Sequence, residues 1–135
     1  MDVYEYFATR ERECRELSLV PDVPFDDLFA EERGSNGQRG MMWARLGLTE
    51  RAYLTMLETV VVRGTGIHRE RYSYYLIFDE EEVWGYDRDP KHHPEEHMHE
   101  GTSHDRKHSG PVVFKDIAEQ AWERVSELEE LAREQ

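Results

Sequence analysis

Residues 71–87 read RYSYYLIFDEEEVWGYD, and this stretch decides the fold. Arg71–Phe78 alternates, placing Tyr72, Tyr74, Leu76 and Phe78 on one face, as in a strand half buried against a core. Asp79–Glu82 is a tight acidic connection, and Val83–Asp87 returns as the next strand. Upstream, Ala52–Val62 is rich in β-branched and aromatic residues, and Arg63–Gly66 supplies a turn. Together these segments predict a three-stranded antiparallel meander, to which Val112–Phe114 can add a short fourth strand. Lys115–Arg133 predicts a helix, with Ile117, Ala121, Val125, Leu128 and Ala132 in a stripe at helical spacing and Trp122 beside it. Each large member of that stripe stabilises the fold by roughly 1.5–3 kcal/mol if fully buried. A sheet with one apolar face needs a cover, and this helix is the natural one.

Residues 9–19 predict a short helix, with Cys14, Leu17 and the adjoining Val20 on a narrow apolar stripe. Pro21 and Pro24 interrupt the chain, a helical turn follows, and residues 34–40 (GSNGQRG) read as a loop. The expected architecture is therefore one α+β domain over residues 1–135. It comprises a helical N-terminal arm (1–45) and a three- to four-stranded antiparallel sheet packed on a C-terminal helix (50–135). Residues 89–111 show neither strand nor helix period, and so long a loop in a small domain points to function or disorder.

The chain carries thirty acidic residues against seventeen basic ones, a net charge of −13, and only three of the basic residues are lysine. Such a surface suits molar salt, where the Debye length falls to about 3 Å at about 1 M and self-repulsion is screened. A basic partner is the rival explanation. The halophilic reading predicts a melting temperature that rises substantially between about 0.1 M and about 2 M KCl. A melting curve indifferent to salt contradicts it. The charge is uneven: residues 41–78 hold five arginines against three acids, so a local arginine face is compatible with an acidic whole. No apolar run is long enough to span a membrane. The opening MDVYEYFATR lacks the charged start and apolar core of a signal peptide, so the expected compartment is the cytoplasm. Cys14 is the single cysteine, which excludes an internal disulfide and a thiolate metal cluster and fits a small core residue.

Six of the seven histidines fall between His92 and His108. Three readings of this cluster stay open. In the first, zinc or another divalent transition metal is bound by His97 and His99 on an extended segment, with His93, His104 or Asp87 adding donors. The spacing matches no zinc-finger pattern. In the second, His97 and His99 are an acid–base pair of the kind RNA cleavage by its own 2′-hydroxyl requires, and Arg69 or Arg71 meets the phosphate. In the third, the loop is a solvated polar segment and the protein is a non-enzymatic interaction module. Tyr72, Tyr74 and Tyr75 read as strand packing, and Glu58, among valines, as exposed or ion-paired.

A strand and hairpin, a second strand ending Tyr86-Asp87, a loop carrying His97-x-His99 and a closing helix together resemble the TumE toxins over residues 50–130. These are small prokaryotic proteins encoded beside an antitoxin, with haloarchaeal members. Tyr86, Asp87, His97 and His99 match the family's pattern. The chain departs from it at Arg88, where asparagine is usual, in its longer histidine loop, and in residues 1–45. The resemblance implies a toxin–antitoxin role, a cognate antitoxin as partner and an action on RNA or translation. Asp87 would then orient one of the two imidazoles.

Overall fold

The computed structural model describes residues 2–21, 39–91, 95–101 and 107–134. The chain forms α1 (Val3–Glu16), β1 (Val20–Pro21), β2 (Arg39–Thr49), β3 (Ala52–Arg63) and β4 (Gly66–Phe78), followed by β5 (Glu81–Arg88), β6 (Glu96–Glu100), β7 (Lys107–His108) and α2 (Phe114–Arg133). Among the described residues seven strands lie in chain order in one sheet, and every neighbouring pair is antiparallel.

The α+β class, the antiparallel meander and the closing helix match expectation, but the sheet is larger than three or four strands. β2 escapes a reading by composition because methionine, glycine and arginine fill it, although its burial alternates cleanly from Gly40 to Leu46. β6 (EHMHE) is polar on paper, and β1 and β7 have two residues each. Val112–Phe114 is not a strand; α2 begins at Phe114. The N-terminal helix is longer than expected, spanning Val3–Glu16, with the Asp2 side chain accepting from the Glu5 amide at 2.8 Å. It ends in a Schellman motif: Leu19 N–H donates to Cys14 O at 2.8 Å and Ser18 N–H to Arg15 O at 3.1 Å. Ser18 takes the left-handed conformation (φ 60°), a position where glycine would have announced the stop. The segment 25–33 and most of 34–40 lie outside the described residues.

One face of the sheet is buried under both helices. Met42, Ala44 and Leu46 of β2 join Leu54, Met56 and Val60 of β3, and Tyr72, Tyr74 and Leu76 of β4 continue the layer. α1 contributes Val3, Phe7 and Cys14; α2 contributes Phe114, Ile117, Ala118, Ala121 and Val125. Trp122 Nε1 donates to Leu17 O at 2.8 Å, joining α2 to the end of α1. Val125 is 1% exposed, so Val125→Asp places an unpaired carboxylate in this layer. It is expected to lower stability by about 3 kcal/mol or more. Denaturant unfolding indistinguishable from wild type would show that α2 does not cover the sheet.

Glu58 is wholly buried in this same layer. Tyr74 Oη donates to its Oε2 at 2.6 Å, Tyr6 Oη donates to its Oε1, and Arg10 Nη2 reaches Oε1 at 3.3 Å. Arg69 Nη1 in turn donates to Tyr74 Oη at 2.9 Å. The Arg10 guanidinium lies 4.7 Å from the Phe114 ring centroid, so α1, α2, β3 and β4 all meet at this carboxylate. Burial, reinforced by the charge of Glu58, lifts the Tyr74 phenol well above its ordinary value. Burial alone would lower Arg10, but the charge of Glu58, joined by Tyr6, Tyr74 and Glu13, together outweighs it and holds the guanidinium protonated.

Besides a register shift at Leu48 between β2 and β3, two β-bulges along β4 and β5 set which of their residues reach each face. Opposite the step from Leu76 to Ile77, Val83 is an extra residue in β5, so Glu82 pairs with Ile77 while Trp84 pairs with Leu76. Opposite the step from Thr59 to Val60, Glu70 is extra in β4, so Arg71 pairs with Thr59 and Arg69 with Val60. The β4–β5 turn is Asp79-Glu80, both at positive φ (51° and 64°) without a glycine. Arg51 braces it: its Nε donates to Asp79 Oδ1 at 2.8 Å, its carbonyl accepts from the Asp79 amide, and its guanidinium lies over Phe78.

Candidate functional site

The sheet face away from the helices carries a polar cluster where β4, β5 and β6 run side by side. Register pairs Ser73 with Asp87, Tyr75 with Gly85, Asp87 with His97 and Gly85 with His99. Strand alternation therefore sends all of these to one face, opposite Tyr74, Tyr86 and Met98. Glu82 joins them because the bulge at Val83 restores its parity with Asp87.

Asp87 is the centre of the cluster. Its Oδ1 accepts from Ser73 Oγ, and its Oδ2 accepts from Tyr75 Oη at 2.6 Å. Two imidazoles face the same Oδ2: His97 Nε2 at 3.5 Å and His99 Nε2 at 3.4 Å. His99 Nδ1 lies 3.2 Å from Glu82 Oε1, within ion-pair range but not aligned as a hydrogen bond. Burial, then the bond donated to Asp87, lifts the Tyr75 phenol above its ordinary value, so Tyr75 serves as a proton-bearing donor near neutral pH. The His97 side chain is 3% exposed, that of His99 15% and that of Asp87 16%, so the cluster opens to solvent at His99 and Asp87.

Gly85 makes this convergence possible. A Cβ at that position would lie 2.3 Å from Tyr75 Cε1 and 2.9 Å from His99 Cε1. The tyrosine ring and the imidazole close over the bare backbone, their centroids 5.4 Å apart.

Of the residues expected from sequence, Asp87, His97 and His99 come together. Arg71 shares their face, exposed on β4 two residues from Ser73, with Nη2 2.7 Å from Asp89 Oδ2. Arg69 does not join them. The bulge at Glu70 turns it to the helix-covered face, where it donates to Tyr74 Oη and to the Val112 carbonyl. Two residues apart on an unbulged strand, Arg69 and Arg71 would share a face, which is why sequence spacing left them interchangeable. Tyr86 also points toward the helices and donates to Gln120 Oε1 of α2 at 3.0 Å. His92, His93 and His104 lie outside the described residues. Among the described residues no group of three or more His, Cys, Asp or Glu side chains is arranged to hold a metal ion, so the zinc reading gains no donor set here. Cys14 is buried, and burial pushes its thiol up to about 12, which removes it as a nucleophile near neutral pH.

Sequence reasoning missed Ser73, Tyr75, Glu82 and Gly85. The alternation of residues 71–78 already placed Ser73 and Tyr75 opposite Tyr72 and Tyr74, which was the available signal. None of the described helices is long and apolar enough to cross a membrane. Comparison with known protein families, with curated proteins and with solved structures finds no match for this chain.

Proposed function

We propose that this chain is a toxin-like protein of a toxin–antitoxin pair that acts on RNA through histidine acid–base chemistry. The observation that carries the reading is the approach of His97 and His99 to one carboxylate oxygen of Asp87, with Arg71 on the same face. In the proposed reaction a ribose 2′-hydroxyl attacks the adjacent phosphorus and the bond to the 5′-oxygen breaks. One imidazole takes the 2′-hydroxyl proton and the other protonates the leaving oxygen, giving a 2′,3′-cyclic phosphate and a 5′-hydroxyl end. Asp87 orients the rings as the carboxylate 3.5 Å from His97 Nε2 and 3.4 Å from His99 Nε2, Tyr75 and Ser73 hold Asp87 in place, and Arg71 meets the charge that grows on phosphorus. Substrate approaches from the His99 side, where the cluster is open.

Purified protein is expected to cleave single-stranded RNA to cyclic-phosphate ends, and its expression without a cognate antitoxin to slow growth of a halophilic host. His97→Ala, His99→Ala and Asp87→Asn are each expected to cut the cleavage rate by roughly 100-fold or more. Each should also relieve the growth defect at matched soluble expression. An inert wild-type protein, with growth equal to that of all three variants, rules the reading out. The interaction-module reading is favoured by Trp43 and Met41, which stand 49% and 38% exposed on the helix-free face. That outcome leads back to it.

A further inference from the structure

The bulge at Glu70 borders a cleft of about 680 Å³ at the end of the sheet where β4 begins and β5 ends. Arg39, Arg63, Arg69, Arg71, Arg88 and Lys91 line it, against three carboxylates, Glu70, Asp89 and Glu96. Among the described residues, a chain of net charge −13 thus gathers six of its seventeen basic residues around one concavity holding three of its thirty acids. Random placement on so acidic a surface would give the opposite sign. The volume falls within the range of about 300–1,000 Å³ typical of ligand clefts.

The internal ion pairs do not use up this charge. Glu70 is shared between Arg39 at 2.7 Å and Arg63 at 3.7 Å, and Asp89 meets Arg71 at 2.7 Å. Arg88 faces Glu95 at 3.0 Å and also pairs with Glu96, yet its Nε is buried without a hydrogen-bond partner. Arg39, Arg63 and Arg71 have side chains 48%, 64% and 51% exposed. They are held by their carboxylates with donor atoms still turned to solvent, an arrangement suited to a planar, multiply charged acceptor such as phosphate.

Arg71 belongs to both places. It lines the cleft, and it lies on the face and strand that carry Ser73 and Tyr75, while Asp89 follows Asp87 by two residues at the end of β5. From this continuity we infer that the cleft binds the phosphate backbone of a single-stranded RNA and leads it past Arg71 to the Asp87 cluster. The inference rests on the proposed function for its direction, but binding and cleavage separate experimentally.

The test is fluorescence anisotropy of a short labelled oligouridylate over a range of KCl, using the His97→Ala protein so that no probe is cut. Binding is expected, and charge reversal of two exposed cleft residues, Arg63→Glu with Lys91→Glu, should weaken it at least tenfold. The slope of log affinity against log salt should shrink by about 0.7 for each phosphate that is no longer neutralised. The folded state of the variant is checked by its melting curve, since both side chains are at the surface. Failure of the His97→Ala protein to bind the strand overturns the inference, as does equal binding by the charge-reversed variant. Tighter binding of free ADP or pyrophosphate than of the strand also overturns it, because the cleft would then serve a small anion. Strand binding abolished by charge reversal, in a wild-type protein that never cleaves RNA, upholds the cleft and refutes the catalytic reading alone.

Discussion

Glu58→Ala is expected to destabilise the protein by about 3–5 kcal/mol, the cost of removing one partner from a buried ion pair. The carboxylate has no exposure, and its loss leaves the Arg10 guanidinium, whose side chain is 11% exposed, between two helices with only the partly exposed Glu13, 3.2 Å from Nη1, as counter-charge. Tyr6 and Tyr74 lose their acceptor at the same time. Equilibrium unfolding in denaturant measures the loss. The informative control is Glu58→Leu combined with Arg10→Met, which replaces both charges by apolar side chains of similar bulk. That pair is expected to recover most of the stability, because desolvating two charges offsets much of what their attraction contributes. A single Glu58→Ala variant within about 1 kcal/mol of wild type would mean that water or another group reaches Arg10, and the four-element junction would lose its central place.

Gly85→Ala is the second substitution with a large expected effect, and here the reason is steric. The added methyl would sit 2.3 and 2.4 Å from two atoms of the Tyr75 ring, a rigid group that must move bodily. Moving it breaks the bond from Tyr75 Oη to Asp87 and tilts the ring beside His99. Overpacking of this kind costs about 1–3 kcal/mol, and displacing the groups around Asp87 should lower the proposed RNA cleavage about 100-fold. A double-mutant cycle with Tyr75→Ala isolates the cause: once the ring is gone, most of the cost of Gly85→Ala should go, leaving only the approach to His99 Cε1 at 2.9 Å. Additive stabilities in that cycle would show that the methyl meets something other than Tyr75.

The parts of the fold that could be read from sequence are those where burial and composition agree. Tyr72, Tyr74 and Leu76 alternate and bury, with Phe78 partly buried, and of the helical stripe Ile117, Ala121 and Val125 bury while Leu128 and Ala132, beyond the edge of the core, are only partly covered. β2 and β6 were not legible as strands because their inward positions hold small, flexible or polar residues, such as Gly40, Ala44 and Met98. Propensity says little there, and pairing with neighbours decides. Of the site, Asp87, His97 and His99 stood out by residue type. Ser73 and Tyr75 did not, since a serine and a tyrosine in a strand are ordinary. Glu58 was hardest to judge, because its burial depends on Arg10 lying 48 residues away in another element. The distinction between Arg69 and Arg71 required the bulge at Glu70, which no local pattern announced.

The extra residue at Val83 turns segment length into chemistry. With the spacing from Asp79-Glu80 to Asp87 that this chain has, a ladder without the bulge would set Asp87 across from Tyr72 and point it among the helices, while Trp84 and Tyr86 would face water. Residue count between turn and carboxylate is thus as much part of the site as the carboxylate itself. A chain lacking Val83 would run as a regular ladder and still turn its acid outward, opposite the serine. A chain that kept this length but paired evenly would bury the acid. In any homologous chain, a Tyr-Asp followed by His-x-His is therefore informative only after the spacing back to the hairpin has been counted.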